Sequence, residues 1–254
     1  MNSSISRYLI LAYIFSILLS CSTSPKLKKV ETASIEINSQ TPLADADAEK
    51  TVNPYKSKVD LIMNEVLIVS EQPLLKGVPE SNLGDFVSDA ILKKTNDNYK
   101  PIDKQPADIC LLNNGGLRGE LPKGKITRGH AFELMPFENS IVVLTISGKK
   151  TKQLFEYIVG ANGVPFAGAR VTAKGKKISE IKINGQALDS TKTYKICTSD
   201  YLASGGDKYN FFKNPIKIDT INYKLRDAII DYMLDEKRKG VTLNISIDGR
   251  LKYE

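Results

Sequence analysis

Four side chains in the middle and later parts of the chain could recognise an anion and a flat ring together: Arg118, Phe137, Tyr201 and Asp207. Arg118 closes the stretch Asn113-Asn114-Gly115-Gly116-Leu117-Arg118, which ends an apolar run. Glycines at a strand mouth tolerate backbone angles that turn N–H groups outward. A guanidinium beside them is a permanently charged fork for carboxylate or phosphate oxygens. Phe137, held by Pro136 on a polar loop, offers a ring face. Tyr201 offers a second, Ser204-Gly205-Gly206 predicts a sharp turn, and the Asp207 carboxylate can accept both hydrogen bonds of a ribose diol. If the two rings face each other, a purine or pyrimidine could stack between them, which typically contributes about 1–3 kcal/mol per base. Each feature alone has a plainer reading. NGG is usually a turn, a lone arginine a surface residue, a Pro-Phe pair a loop plug, Tyr201 a core residue and Asp207 a turn cap.

The elements that must position these residues follow from periodicity and punctuation. Asn53-Pro54 predicts a helix start, followed by Tyr55, Val59, Ile62, Met63 and Val66 at helical spacing. Residues 65–70 read as a strand. Ser81 precedes a second helix with Leu83, Phe86, Val87, Ala90 and Ile91 as its apolar stripe, and residues 94–104 read as a polar loop. Residues 107–112 form a buried strand that leads into the glycines, and Thr127 caps a short helix reaching Leu134. Residues 141–146 are continuously apolar, hence a strand covered on both faces. Leu154, Phe155 and Ile158 mark another helix. Strands are predicted over 169–173, 178–183 and 193–198, with Gly175 and Asn184-Gly185 as hairpin turns. Asn222 is expected to cap a last helix, and a strand near 243–247 to close the chain. Hairpins mixed with helices, without a strict βαβ rhythm, favour a single mixed-sheet α+β domain.

The chain has 254 residues, of which 41% are hydrophobic and 26% charged, enough for one full-sized core and a tail. A formal charge of +7 suits anionic small molecules or anionic membrane surfaces. No dense basic block interleaved with aromatics occurs, which argues against nucleic-acid binding. Residues 1–20 combine Arg7, an apolar span and Ser20 before Cys21, which reads as an export signal. Leu18-Leu19-Ser20-Cys21 resembles a bacterial lipobox, and that resemblance implies lipidation at Cys21 of a membrane-anchored bacterial lipoprotein, periplasmic or at the cell surface. The alternative is an uncleaved anchor with an incidental cysteine. Residues 21–45 read as a flexible tether, and 46–254 as the domain. Cys110 and Cys197 sit inside apparent strands and are expected to be buried free thiols rather than a pair.

In order along the chain occur E-S-N-L-G-D at 80–85, N-N-G-G-L-R at 113–118, G-K-I-T at 124–127, L-M-P-F-E-N at 134–139, T-I-S-G at 145–148 and D-Y-L-A-S-G-G-D at 200–207. This series resembles the C-terminal, substrate-recognition domain of the 5′-nucleotidase/UDP-sugar hydrolase family, over nearly everything from residue 46 to 254. The resemblance implies substrate-binding roles for ten residues. Asn113 would contact the base, and Asn139 would also belong to the substrate-binding set. Arg118 would grip phosphate, Phe137 and Tyr201 would sandwich the base, and Asp207 would hold the ribose hydroxyls. Gly115, Gly116, Gly205 and Gly206 would shape the loops. Lys76 stands where relatives often carry another arginine, and would offer a point charge.

Two-metal phosphate hydrolysis needs a cluster of Asp, His and Asn ligands. The family's catalytic half meets that need with several histidines, whereas this sequence has one, His130, read as a surface residue. The expectation is therefore a chain that holds no cofactor of its own and does not hydrolyse alone. A separate calcineurin-like metallophosphoesterase chain would bring two divalent metals. The alternatives are a membrane-tethered nucleotide- or nucleoside-binding module with no catalytic role, and a degenerate structural protein whose motifs only maintain the fold.

Overall fold

The computed structural model describes residues 29–34 and 46–254. The expected export segment, the Cys21 lipidation site and most of the expected tether lie outside the described residues. Strands β2 (Ile109–Leu111), β4 (Ser140–Ser147), β5 (Phe166–Ala167), β9 (Thr193–Ser199) and β10 (Lys217–Lys224) form a five-stranded sheet. Its order is β10-β4-β9-β2-β5. β2 and β9 pair in parallel, and the other neighbours antiparallel. Successive side chains of a strand point to opposite faces. Ile141 and Val143 accordingly enter one core, while Val142, Leu144 and Ile146 enter the other. That explains the continuous apolar run, since both faces of β4 are covered.

Helices α2 (Asn82–Asn98) and α6 (Leu225–Arg238) cover the first face through Leu83, Phe86, Ile91, Leu225, Ile229 and Met233. α2 starts, as expected, after Ser81, whose hydroxyl accepts from the Gly84 N–H at 3.0 Å and so caps the helix. The same core extends under an antiparallel ribbon of β1 (Val66–Ser70) and β3 (Gly124–Thr127). The second face is covered by α4 (Gly148–Gly160) through Leu154, Phe155 and Ile158. A four-stranded sheet of β6 (Ala169–Lys174), β7 (Lys177–Ile183), β8 (Gln186–Ala187) and β11 (Leu251–Tyr253) adds Val171, Ile181 and Leu251. Two short helices, α3 (Arg128–Leu134) and α5 (Asp200–Ala203), lie at the sheet's edge beside the loops that matter below. The fold is the expected single mixed α+β domain.

Several elements depart from the sequence reading. Helix α1 runs over Ala46–Met63, so Pro54 lies inside it and Asn53 is not its cap. Proline removes an intrahelical amide, a loss water can offset on a helix with no buried side chain. Most of the apolar stripe read at helical spacing is exposed, with Tyr55 at 72% and Ile62 at 55%, while Met63 and Val66 are half-buried. α2 continues to Asn98, into the first part of the stretch read as a loop. Asn222 does not cap α6: it sits in β10 with φ 54°, where the register with β4 shifts. Asparagine tolerates that left-handed angle through its short polar side chain. Residues 243–247 form no strand; Leu243 makes a single bridge to Ser70, and the closing strand is β11, parallel to β6.

Candidate functional site

Strand directions bring the distant motifs together. β2 and β9 are parallel, and β4 runs against β9 with Ile141 opposite Ser199. The carboxyl ends of β2 and β9 and the amino end of β4 therefore share one edge of the sheet. Residues 113–118 leave the first, residues 200–207 leave the second, and Phe137 and Asn139 precede the third. At that edge Asn113, Gly115, Gly116, Arg118, Phe137, Asn139, Tyr201 and Asp207 line one cavity of about 370 Å³. Crevices outside the carboxyl ends of parallel strands are favoured ligand sites. Both rings remain open to solvent, Phe137 at 42% and Tyr201 at 46% exposed.

Gly205 and Gly206 form the turn behind Tyr201. A Cβ on Gly206 would stand 2.5 Å from two atoms of the Tyr201 ring, so only glycine lets that ring lie against the turn. The other glycine pair works differently from the sequence argument. Gly115 and Gly116 take no positive φ; they sit in a 3₁₀ turn over Asn114–Gly116. What matters at Gly116 is space, since a Cβ there would stand 2.7 Å from Asn113 Oδ1.

Asp207 is the hub of the polar wall. Its Oδ2 accepts from Asn113 Nδ2 at 2.6 Å and its Oδ1 from the Tyr201 hydroxyl at 2.9 Å. Its backbone is left-handed, with φ 50° and ψ 25°. Bonding to the Asp207 carboxylate, reinforced by its charge, pushes the Tyr201 phenol above its ordinary value. Arg118 is exposed, and its guanidinium makes no hydrogen bond or ion pair among the described residues. Its backbone N–H is anchored to the Leu134 carbonyl at 2.7 Å. The cavity wall thus offers two ring faces, an acceptor carboxylate and an unpaired cation.

Sequence reasoning missed the supports. The Tyr157 hydroxyl donates to the Asp207 carbonyl at 3.3 Å, and the buried Tyr209 hydroxyl to the Leu112 carbonyl at 2.9 Å. The rings of Tyr157, Tyr209 and Phe211 pack together beneath the turn. Arg226, 4% exposed, packs over the Phe132 ring at 3.9 Å and donates to the Met135 carbonyl at 3.2 Å. It also pairs with Glu138, so it fixes the loop that carries Phe137. Hydrogen bonds from Lys224 and Arg226 hold the Glu138 carboxyl down at about 2. Arginine on an otherwise apolar helix face was the available signal.

Two expected charges lie elsewhere. Lys76 lines a separate groove with Gln72 and Ser246, so it is not a wall of this cavity. His130 is half-buried and structural: its Nδ1 accepts from the Thr127 N–H at 3.0 Å, closing a capping box at the start of α3. Among the described residues one acidic trio meets, Glu80, Asp85 and Asp248. Arg250 already pairs with Asp85 at 3.1 Å and Asp248 at 3.1 Å, and Glu80 accepts from the backbone N–H groups of Asp248 and Gly249, each at 2.9 Å. Those carboxylates do not fit the implied metal pair.

The chain belongs to the family of the 5′-nucleotidase C-terminal domain, whose model matches residues 69–214. It is 26% identical over 228 residues to the trifunctional nucleotide phosphoesterase protein YfkN of Bacillus subtilis, covering 81% of this chain and 15% of that protein. Protein UshA of Yersinia enterocolitica is 29% identical over 135 residues, which cover 51% of this chain and 24% of that one. The fold is similar to a 5′-nucleotidase precursor from Thermus thermophilus, with a TM-score of 0.68 at 24% identity, over 82% of this chain and 43% of that one. The matched region thus spans less than half of each of these relatives.

Proposed function

We propose that this chain is the nucleotide- or nucleoside-recognition half of a 5′-nucleotidase-type phosphoester hydrolase acting in nucleotide catabolism. The observation that carries the reading is the single cavity where Phe137, Tyr201, Asp207 and the unpaired Arg118 converge. The base stacks between the two rings, with Asn113 and Asn139 at its edge. Asp207 receives the ribose hydroxyls, Arg118 the phosphate, and the glycine turns leave room for both.

Bond cleavage falls to a separate metallophosphoesterase chain with two divalent metals, which supply the Lewis acid and the activated water of such reactions. A lipid on Cys21 would hold the recognition half at the membrane. The test is phosphate release from a nucleotide panel with Mn²⁺, by the chain alone and with the candidate partner. The expected result is no release alone and release with the partner; equal release in both arms would sink the division of labour. The second reading is a binding module with no catalytic role, which the poor fit of the described carboxylates to a metal pair also supports. Nucleoside-dependent stabilisation with no partner-dependent phosphate release would favour it.

A further inference from the structure

We infer that the Tyr201 hydroxyl is a built-in competitor for the ribose subsite, so that Tyr201 sets how strongly this site selects ligands bearing an intact cis-diol. The inference rests on the nucleoside reading given above. In the free protein both oxygens of the Asp207 carboxylate already accept a hydrogen bond. Asn113 Nδ2 holds Oδ2 at 2.6 Å and the Tyr201 hydroxyl holds Oδ1 at 2.9 Å. A carboxylate with a donor on each oxygen is a weaker acceptor for further hydroxyls, because each bond withdraws negative charge from it.

The two donors differ in what they cost to displace. The Tyr201 bond is confined to the site's rim, where the tyrosine is 46% exposed and water can take over its hydroxyl. The ring itself is held independently by the turn at Gly206, against which it packs too closely for a Cβ there. Asp207 is pinned from behind by its strained left-handed backbone and by Tyr157. A ribose diol arriving at Asp207 therefore exchanges with Tyr201 at Oδ1 while ring and carboxylate stay in place. A phenylalanine at this position would keep the stacking face and leave Oδ1 open.

The experiment compares binding of adenosine and uridine with that of their 2′,3′-dideoxy counterparts, by calorimetry, in the wild-type chain and in Tyr201→Phe. A change in ring stacking moves both ligand classes alike, so the readout is the ratio of ribo to dideoxy affinity. We expect the ratio to rise about 2- to 10-fold in Tyr201→Phe, the span of one ordinary hydrogen bond. An unchanged or smaller ratio, with adenosine or uridine still bound by both proteins, overturns the inference and leaves the functional reading standing. A wild-type chain that binds no nucleoside rejects the functional reading and this inference with it. A second measurement probes the latch without ligand. NMR of isotope-labelled tyrosine should show a high-titrating phenol that is missing in Tyr201→Phe and titrates lower in Asp207→Asn. A Tyr201 phenol indifferent to Asp207→Asn also overturns the inference.

Discussion

Phe137 and Asp207 test the site most directly, because neither is part of either core. Phe137→Ala removes one ring face, and is expected to weaken nucleoside binding by about 1–3 kcal/mol, the usual worth of stacking on an aromatic side chain. Asp207→Ala removes the diol acceptor. Both variants should fold, and both should lose nucleoside-dependent stabilisation in a melting assay. An unchanged ligand response in both would reject the site assignment. The residue types were readable in the sequence, but their supports were not: Tyr157 reads there as one more aromatic in a helix. The cysteines behave as expected of buried thiols. Cys110 and Cys197 are register partners on β2 and β9, fully buried and not joined by a disulfide. Neither should react with an alkylating reagent in the native protein, and both should react after denaturation, as read by mass spectrometry.

Among the elements, the loop between α3 and β4 depends on α6. Arg226 on α6 reaches its carbonyls and Glu138, and is almost wholly buried. Arg226→Ala is expected to destabilise the protein by about 1.5–3 kcal/mol, the range for hydrogen bonds to a charged group. It should also weaken ligand binding through Phe137, and Arg226→Lys should restore little, since lysine lacks the planar fork. Denaturant unfolding alongside ligand titration checks both effects. An arginine among the apolar residues of its helix face was the one local hint, and the contact itself was not readable, since 91 residues separate Arg226 from Met135. Strands β3 and β10 were missed for a related reason. Their alternation is weak, β10 being only half covered at the sheet's edge, and their partners are distant.

At the scale of the whole molecule, Arg250 ties the chain's end to α2. It pairs with Asp85 and Asp89 and donates to the Phe166 carbonyl at 2.8 Å. Burial pushes the Asp85 carboxyl up to about 8; Arg250 opposes that rise, while the neighbouring Glu80 and Asp248 carboxylates add to it. The fold therefore favours protonated Asp85, whereas the unfolded chain releases that proton near the ordinary 3.8. This contribution to stability is complete below about pH 4 and is lost as pH rises toward and through about 8. The melting temperature should fall across that window, and Asp85→Asn, which keeps the shape without the charge, should flatten the fall. A wild-type profile no steeper than that of the variant would refute it.

What the sequence determined by itself were the local features with short-range causes: the buried run of β4, the helix start after Ser81, the Thr127 cap, the hairpin turns and the ordered motif series. Hydrophobic period and side-chain capping act within a few residues, so one chain suffices to read them. Only the tertiary structure decided that β2 and β9 run parallel with β4 against them, and that relation sets Phe137 and Tyr201 at one rim. It also decided that Lys76 faces another groove and that α1 leaves its apolar stripe in solvent. Each of these depends on which surfaces far apart in the chain come to share an edge or a core, and no local pattern encodes that.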